Sequence, residues 1–342
     1  MKKLLSILLL SFVLFSCGEK KTEAEQKQID KEEAYMLKPE SSGRINHIIL
    51  VIDPLDWKGV VGDAFREIIS DPIEGLPQPE YKFHVSNIPV SAFGKMFQKS
   101  RNLLVIQVSD KEVFRNTSNL YAKPQTILEV KSTSKEALVK LIKAKKNDII
   151  NVFRDGDLAA VQKLHKKEQS KTDFKALKSL KASMVMPNKY RVVMDTLGSF
   201  LWTRSHIAGG LANGDQTNNI LVYEMPLFHT ETPILNQVIA NRDKIGKQFI
   251  RGNDEETMYM ITEAARVPTI IETTINGYKA YETRGTWEVF GAFNAGPFLN
   301  YSIIDKANNR VLVVEGFNYA PSVNKRDFMF ELEAILKSIA LL

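Results

Sequence analysis

The sequence predicts an α+β protein: an N-terminal mixed α/β domain followed by an antiparallel-sheet α+β sandwich. Three observations carry that expectation. Ile48 to Ile52 is a continuous apolar run, followed at once by apolar positions at helical spacing, the pattern of a strand covered on both faces with a helix returning over it. Asn276-Gly277 stands between two strand-like runs, the strongest short signal for a hairpin. Lys325 to Leu341 carries Phe328, Leu332, Ile335, Leu336 and Ile339 at helical spacing, so an amphipathic helix closes the second block.

The elements follow in chain order. Met1, Lys2 and Lys3 precede an apolar run from Leu4 to Phe15 that only Ser6 and Ser11 interrupt. As a helix the run covers roughly 18 Å, against the ~30 Å hydrocarbon core a spanning helix must cross. Residues 1–16 therefore read as a cleaved export signal. The end of the run, Leu14-Phe15-Ser16-Cys17, resembles a bacterial lipoprotein lipobox. That resemblance implies that Cys17 becomes the lipidated, palmitate-bearing first residue of the mature protein, held to a membrane by several acyl chains. The plainer alternative is an incidental cysteine in an ordinary secretory signal. Residues 17–43 are polar and charged and end in Pro39, Ser41, Ser42 and Gly43. Such a stretch buries too little apolar area to offset its ordering and reads as a flexible tether, with an r.m.s. span of roughly 30 Å as a coil.

Residues 44–133 form the expected N-terminal domain. After the first strand, Val60, Val61, Ala64, Phe65, Ile68 and Ile69 mark a helix that Pro72 ends. "YKFHVSNIP", "NLLVIQV" and "QTILEVK" read as strands, and "SAFGKMF" as a short helix capped by Ser91. Residues 134–182 read as a helical connector: Leu138, Leu141, Ile142, Ile149, Ile150 and Phe153 make one stripe, and Asp155-Gly156-Asp157 breaks the helix. Residues 183–342 form the second domain. Its strands are "SMVMPNKYRVVMD", "GSFLWTRSH" and "NNILVYEMP", the last two joined by a loop with Gly209, Gly210, Asn213 and Gly214. A helix from about Pro233 follows, then the Asn276-Gly277 hairpin and a second hairpin across "KANN".

Composition narrows the function classes. The chain is 44% apolar and 25% charged, ordinary for a globular protein with a large core, and its length suggests two domains. It has one cysteine; with Cys17 acylated no thiol remains, which excludes disulfides, thiol catalysis and cysteine-ligated metals. The formal charge of +6 falls by two to +4 when Lys2 and Lys3 leave with the signal. The basic runs "KLIKAKKND" and "KLHKKEQSK" are better read as solvated helix faces than as a nucleic-acid surface, and an exported protein rarely meets nucleic acid, so no nucleic-acid partner is expected.

Two resemblances extend this reading. "VIDPLDWKGVVGDAFREII", "GLPQPEYKF", "RNLLVIQV", "INGYKAYETRGTWE", "GPFLNYSIID" and "VVEGFNYAP" closely resemble a family of Bacteroidetes envelope lipoproteins known as domain of unknown function 4837, over nearly the whole mature chain. It implies no activity. From Ser183 onward the order of elements is similar to the PsbP-like fold, with Asn276, Gly277, Ala280 and Tyr281 matching that group's "NG-x-x-A-Y". That resemblance implies protein binding or assembly rather than catalysis, as fold analogy only.

Catalytic signals are sparse. The five histidines, His47, His84, His165, His206 and His229, include no i, i+4 zinc pair, so no metal is expected, nor any cofactor. "GGLANGD" joins two strands instead of opening a helix and is no phosphate loop. Asp53 and Asp56, at the end of the first strand, are the catalytic candidates, since sites collect at strand ends and paired carboxylates can divide acid and base roles. The plain reading has Asp53 closing a Pro turn and Asp56 capping the next helix, with Trp57 over the helix start. Trp202, Arg204, Arg284 and Trp287 are binding candidates: on strands each pair faces one side of the sheet, and aromatics with Arg dominate interfaces. The alternative is that one tryptophan fills the core and the arginines pair with acids such as Glu282 and Glu288.

The leading expectation is a membrane-anchored envelope lipoprotein, a non-enzymatic factor that binds a protein or glycan or assists assembly. Its runner-up is a hydrolase of envelope glycans with Asp53 and Asp56 in an interdomain cleft, and a spacer is the third. "GEKKTE" after Cys17 lacks an adjoining Asp, which favours the outer membrane without choosing its periplasmic or outer face.

Overall fold

The computed structural model describes residues 37–196, 199–208, 214–254 and 256–342. The export signal, Cys17, most of the tether, and Gly209, Gly210 and Asn213 lie outside the described residues. The protein is α+β, and Glu40–Leu342 form one compact unit built on two large sheets and a two-stranded one that pairs Ala182–Ser183 with Ala340–Leu341.

The first sheet grows from β1 (His47–Val51), which leads through α1 (Pro54–Lys58) and α2 (Val60–Ile69) to β2 (His84–Ile88). A short α3 (Lys95–Gln98) precedes β3 (Asn102–Val108), β4 (Val113–Ser118) and β5 (Thr126–Ser132). The strand order is β2-β1-β3-β5-β4, parallel except where β4 runs against β5. Ser91 caps nothing: it lies in a short 3-10 turn (Val90–Ala92), and Gly94 starts α3 instead.

Two helices follow, α4 (Lys135–Ala144), capped by the Ser134 hydroxyl, and α5 (Lys146–Lys167). They pack on the first sheet, burying Leu138, Ile142, Ile149 and Phe153 with Ile48, Leu50, Phe65, Leu104 and Leu128. The stretch expected to be a connector thus completes the first core, because its apolar stripe needs a sheet face to cover it. The break falls at Lys145, and α5 runs unbroken through Asp155-Gly156-Asp157. Gly156 is there for closeness: a Cβ would stand 2.1 Å from the Thr126 hydroxyl of β5. Asp157 is buried, accepting from Asn46 N at 2.7 Å and Asn102 Nδ2 at 2.9 Å.

The second sheet is antiparallel. After α6 (Lys175–Ser179) and β6 (Ala182–Ser183) come β7 (Arg191–Thr196), β8 (Phe200–Ala208) and β9 (Asp215–Met225), then α7 (Ile234–Phe249). β10 (Tyr259–Thr262), β11 (Thr269–Ile275), β12 (Tyr278–Phe290), β13 (Ala295–Asp305) and β14 (Arg310–Tyr319) follow, with α8 (Arg326–Leu336) and β15 (Ala340–Leu341) last. The order is β10-β12-β13-β14-β9-β8-β7, and β11 shares the β12 edge with β10. Helix α8 covers one face with Met329, Leu332, Ile335 and Leu336 against Leu221's neighbours Ile220 and Val222, and Leu299, Tyr301 and Leu312. The other face buries Phe200, Trp202, Tyr223, Trp287, Phe298 and Phe317 beneath Ile245 and Phe249 of α7. The outer side of α8 meets α5, where Val161 packs with Phe330 and Ala334. One helix therefore belongs to both halves.

Candidate functional site

The residues singled out in the sequence do not converge. Asp53 is the N-cap of α1, its Oδ1 accepting from Leu55 N at 2.8 Å. Asp56 caps no helix; it pairs with Lys135 Nζ of α4 at 2.7 Å, tying α1 to the helix layer. Trp57 lies under the Arg66 guanidinium, 4.5 Å from the ring centroid, and its carbonyl accepts from Arg66 Nη1 at 3.0 Å.

Arg284 and Trp287 do not share a face. They are three residues apart on β12, so the two-residue period sends them to opposite sides. Trp287 joins Trp202 in the core beneath α7, donating from Nε1 to Asn318 O at 3.2 Å. Arg204 stacks 4.8 Å from the Trp202 centroid, and both donate to Asn219 Oδ1, at 2.8 and 3.0 Å. Both tryptophans fill the core, and Arg204 pairs with an amide rather than an acid.

Arg284 instead leads to a cleft of about 720 Å³ between the halves. One wall is Asp71 to Glu74, which follows α2; the other is Thr269 to Ile271, at the start of β11. Lys82, Arg154, Glu282 and Arg284 line its floor. The wall is seated by Gly75, whose φ is +78° and where a Cβ would stand 2.7 Å from Gly285 N of β12; only glycine accepts both conditions. Arg266 Nη1 adds a hydrogen bond to Pro77 O at 2.8 Å.

Beneath the floor Glu333 of α8 gathers the charges. Its two oxygens accept from Arg154 Nη2 at 2.8 and 2.9 Å, Arg284 Nη2 at 2.8 Å and Lys337 Nζ at 2.8 Å. Arg284 Nε donates to Glu282 at 2.6 Å, and the Tyr301 hydroxyl donates to the other Glu282 oxygen at 2.9 Å. Burial would raise the Glu333 carboxyl, but Arg284, Arg154 and Lys337 outweigh it and hold it far below the usual carboxylate range. Burial likewise opposes the Arg284 charge, and Glu333 with Glu282 more than restores it. Burial first, then the same two acids, keep Tyr301 a neutral phenol.

Lys82 is different. It is half-buried and makes no ion pair or hydrogen bond with another described residue, and burial lowers its ammonium below the usual lysine range. Among the described residues the cleft thus presents one cation outside any ion pair, attracted at longer range by Asp71 and Glu74 of its wall, with Ile73 on one side and the exposed Ile271 on the other. Of its carboxylates, Asp71 is held by Lys146 and Glu282 by Arg284 and Tyr301, while Glu74 is exposed and makes no ion pair or hydrogen bond with another described residue. Among the described residues no three His, Cys, Asp or Glu side chains gather as a metal site would require.

Sequence reading missed Lys82, Arg154 and Glu333. Only Glu333 left a trace: it interrupts the apolar run Leu332 to Leu336 of the last helix, and a charge amid apolar neighbours must find buried partners. Arg154 stands beside Asp155 on a charged helix, and Lys82 is a single charge between Tyr81 and Phe83, so neither is marked out by its neighbours.

The profile of a family described as "Domain of unknown function (DUF4837)" matches residues 168–338, and that of "Domain of unknown function (DUF8532)" matches residues 41–166. The two meet at the end of α5, so the first profile covers the second half of the chain, not nearly all of the mature chain as the resemblance implied, and the stretches between Val51 and Val108 fall within the second. No match is found among curated proteins. Among solved structures the chain is similar to "LpqN involved in cell envelope biogenesis of Mycobacterium tuberculosis", at 9% identity and a TM-score of 0.27, covering 46% of this chain and 82% of that one.

Proposed function

The chain belongs to the family described as Domain of unknown function (DUF4837), and on that premise we propose that it is a non-enzymatic binding or assembly factor of the cell envelope, lipid-anchored through Cys17 to the outer membrane. The observation that carries the binding reading is the cleft. Glu282 and Glu333 are occupied by arginine, lysine and tyrosine donors, while Lys82, Glu74 and Ile271 are left for a partner. A general acid or base needs a group free to reach substrate; neither Glu282 nor Glu333 is one, and exposed Glu74 has, among the described residues, no second free carboxylate in the cleft with which to divide acid and base roles, Asp71 being paired with Lys146. The hydrolase alternative loses its residues as well, since Asp53 caps a helix and Asp56 is ion-paired. No helix among the described residues is long and apolar enough to cross a membrane. Anchorage is assigned to the lipobox-like Leu14-Phe15-Ser16-Cys17.

The test is photo-crosslinking in living cells, with the crosslinker at Ile271 of the full-length chain and, as control, at exposed Val267 outside the cleft wall. A defined envelope protein captured from Ile271 and not from Val267 supports the proposal. Purified protein that clears an envelope glycan would overturn it.

A further inference from the structure

We infer that a groove between β4 and α5 binds a saccharide; it shares no lining residue with the cleft and goes beyond the binding reading above. The groove, of about 500 Å³, is built by two periodicities. On β4, Phe114, Asn116 and Ser118 alternate and so share one face, with Thr126 of β5 paired opposite Ser118. Arg115, between them, turns to the other face and pairs with Glu129. On α5, Asp148, Asn151, Val152 and Asp155 stand at i, i+3, i+4 and i+7, which is one helix face. The two faces meet across the groove.

The polar groups that converge there are uncommitted. The side chains of Asn116, Ser118, Thr126, Asn151 and Asp155 make no hydrogen bond or ion pair with another described residue. For the exposed ones that is ordinary, and Thr126 makes the difference. It is 7% exposed, yet its hydroxyl is not sealed in. The hydroxyl points at Gly156, where a Cβ would stand 2.1 Å away, so the missing side chain leaves the floor of the groove open. A buried hydroxyl ordinarily bonds within the fold; one left bare at the bottom of a groove is placed for what fills it.

The chemistry of these groups selects the ligand. Asn, Ser and Thr side chains each both donate and accept, as sugar hydroxyls do. Among the described residues the lining carries two carboxylates and no cation. The lysine against it, Lys145, is committed to Asp148 at 2.9 Å and lies 5.5 Å from the Phe114 centroid. An anion would therefore meet the unpaired charge of Asp155. An amine or a metal ion would use the acceptors alone and leave the amide and hydroxyl donors bare, and 500 Å³ is the size of a small-molecule pocket rather than of an ion site. Phe114 and Val152 supply an apolar wall for the C–H surface of a sugar ring.

The experiment titrates the full-length lipidated protein, in a detergent without a sugar headgroup, by calorimetry and amide exchange. The probes are the methyl glycosides of glucose, galactose, mannose and N-acetylglucosamine, with cellobiose and chitobiose, against calcium chloride, inorganic phosphate and putrescine. At least one saccharide is expected to bind and to slow exchange over 113–118 and 148–156 but not over 269–271. Thr126→Val and Asn151→Ala should each weaken binding about tenfold. Neither side chain bonds within the fold, so the urea midpoint of each variant should stay at the parent's. Asn147→Ala, exposed on the same helix but outside the groove, should bind as the parent does. Saccharides that do not bind, that protect other segments or that bind both groove variants as they bind the parent overturn the inference, as does calcium, phosphate or putrescine binding in their place. The Ile271 crosslink reads the cleft alone, so either reading can fail while the other stands.

Discussion

Two buried carboxylates respond to their surroundings in opposite ways. Glu333 is held low by three cations, so its folded pKa lies below its unfolded value of 4.5. Its stabilisation is present above that value and is lost as pH falls through the folded pKa, in strong acid. Glu333→Gln keeps the shape but strands Arg154 and Arg284, and truncating one partner of a buried pair costs about 3–5 kcal/mol. Urea titrations at pH 7 should show that loss, and the variant's stability should depend less on pH below about 4.5. Asp157 is the reverse, raised from 3.8 chiefly by burial, against hydrogen bonds from Asn46 and Asn102. Stability from its neutral form is complete below 3.8 and lost as pH rises through the higher folded value. Asp157 Oδ1, Asn46 Oδ1 and Asn102 Oδ1 are buried acceptors without a donor. Asp157→Asn supplies one, so the variant should match or exceed the parent's denaturation midpoint at pH 7 and lose less stability between pH 4 and 7.

At the scale of elements, α8 matters most because it packs twice. Leu332 is fully buried against the second sheet, while Phe330 and Ala334, on the other side of the helix, meet α5. Leu332→Ala should destabilise by about 2–5 kcal/mol, read as a lower urea midpoint with an unchanged slope. The pattern of Lys325 to Leu341 disclosed the helix and its sheet-facing residues, since 3.6-residue periodicity is local. It did not disclose the second face, because Ala334 and Phe330 acquire meaning only from Val161, far away in the chain. Strand β12 gives the complementary lesson. The Asn276-Gly277 turn fixes its register, and from register alone Arg284 and Trp287 part to opposite faces.

For the whole molecule the shared helix predicts cooperativity. Arg154 and Val161 of α5 grip Glu333 and Phe330 of α8, so residues 40–342 should unfold in one calorimetric transition with van't Hoff and calorimetric enthalpies agreeing. Two separated transitions would show the halves to be independent. Anchorage is tested apart from folding: Cys17→Ala should leave that transition unchanged and move the protein from the membrane to the soluble fraction. A variant that still sediments with membranes removes lipid as the anchor.

The sequence by itself determined the fold class, most strands and helices, the position of the chief hairpin and the lipidation expectation, because each follows from periodicity, turn chemistry or a contiguous motif. Only the tertiary structure decided that α4 and α5 complete the first core, that Asp53 caps a helix and Asp56 pairs with Lys135, and that Lys82, Arg154, Arg284 and Glu333 meet at one cleft. Those four residues come from a loop, two helices and a strand spread across the chain. Burial and charge pairing act through space, and no local pattern records them.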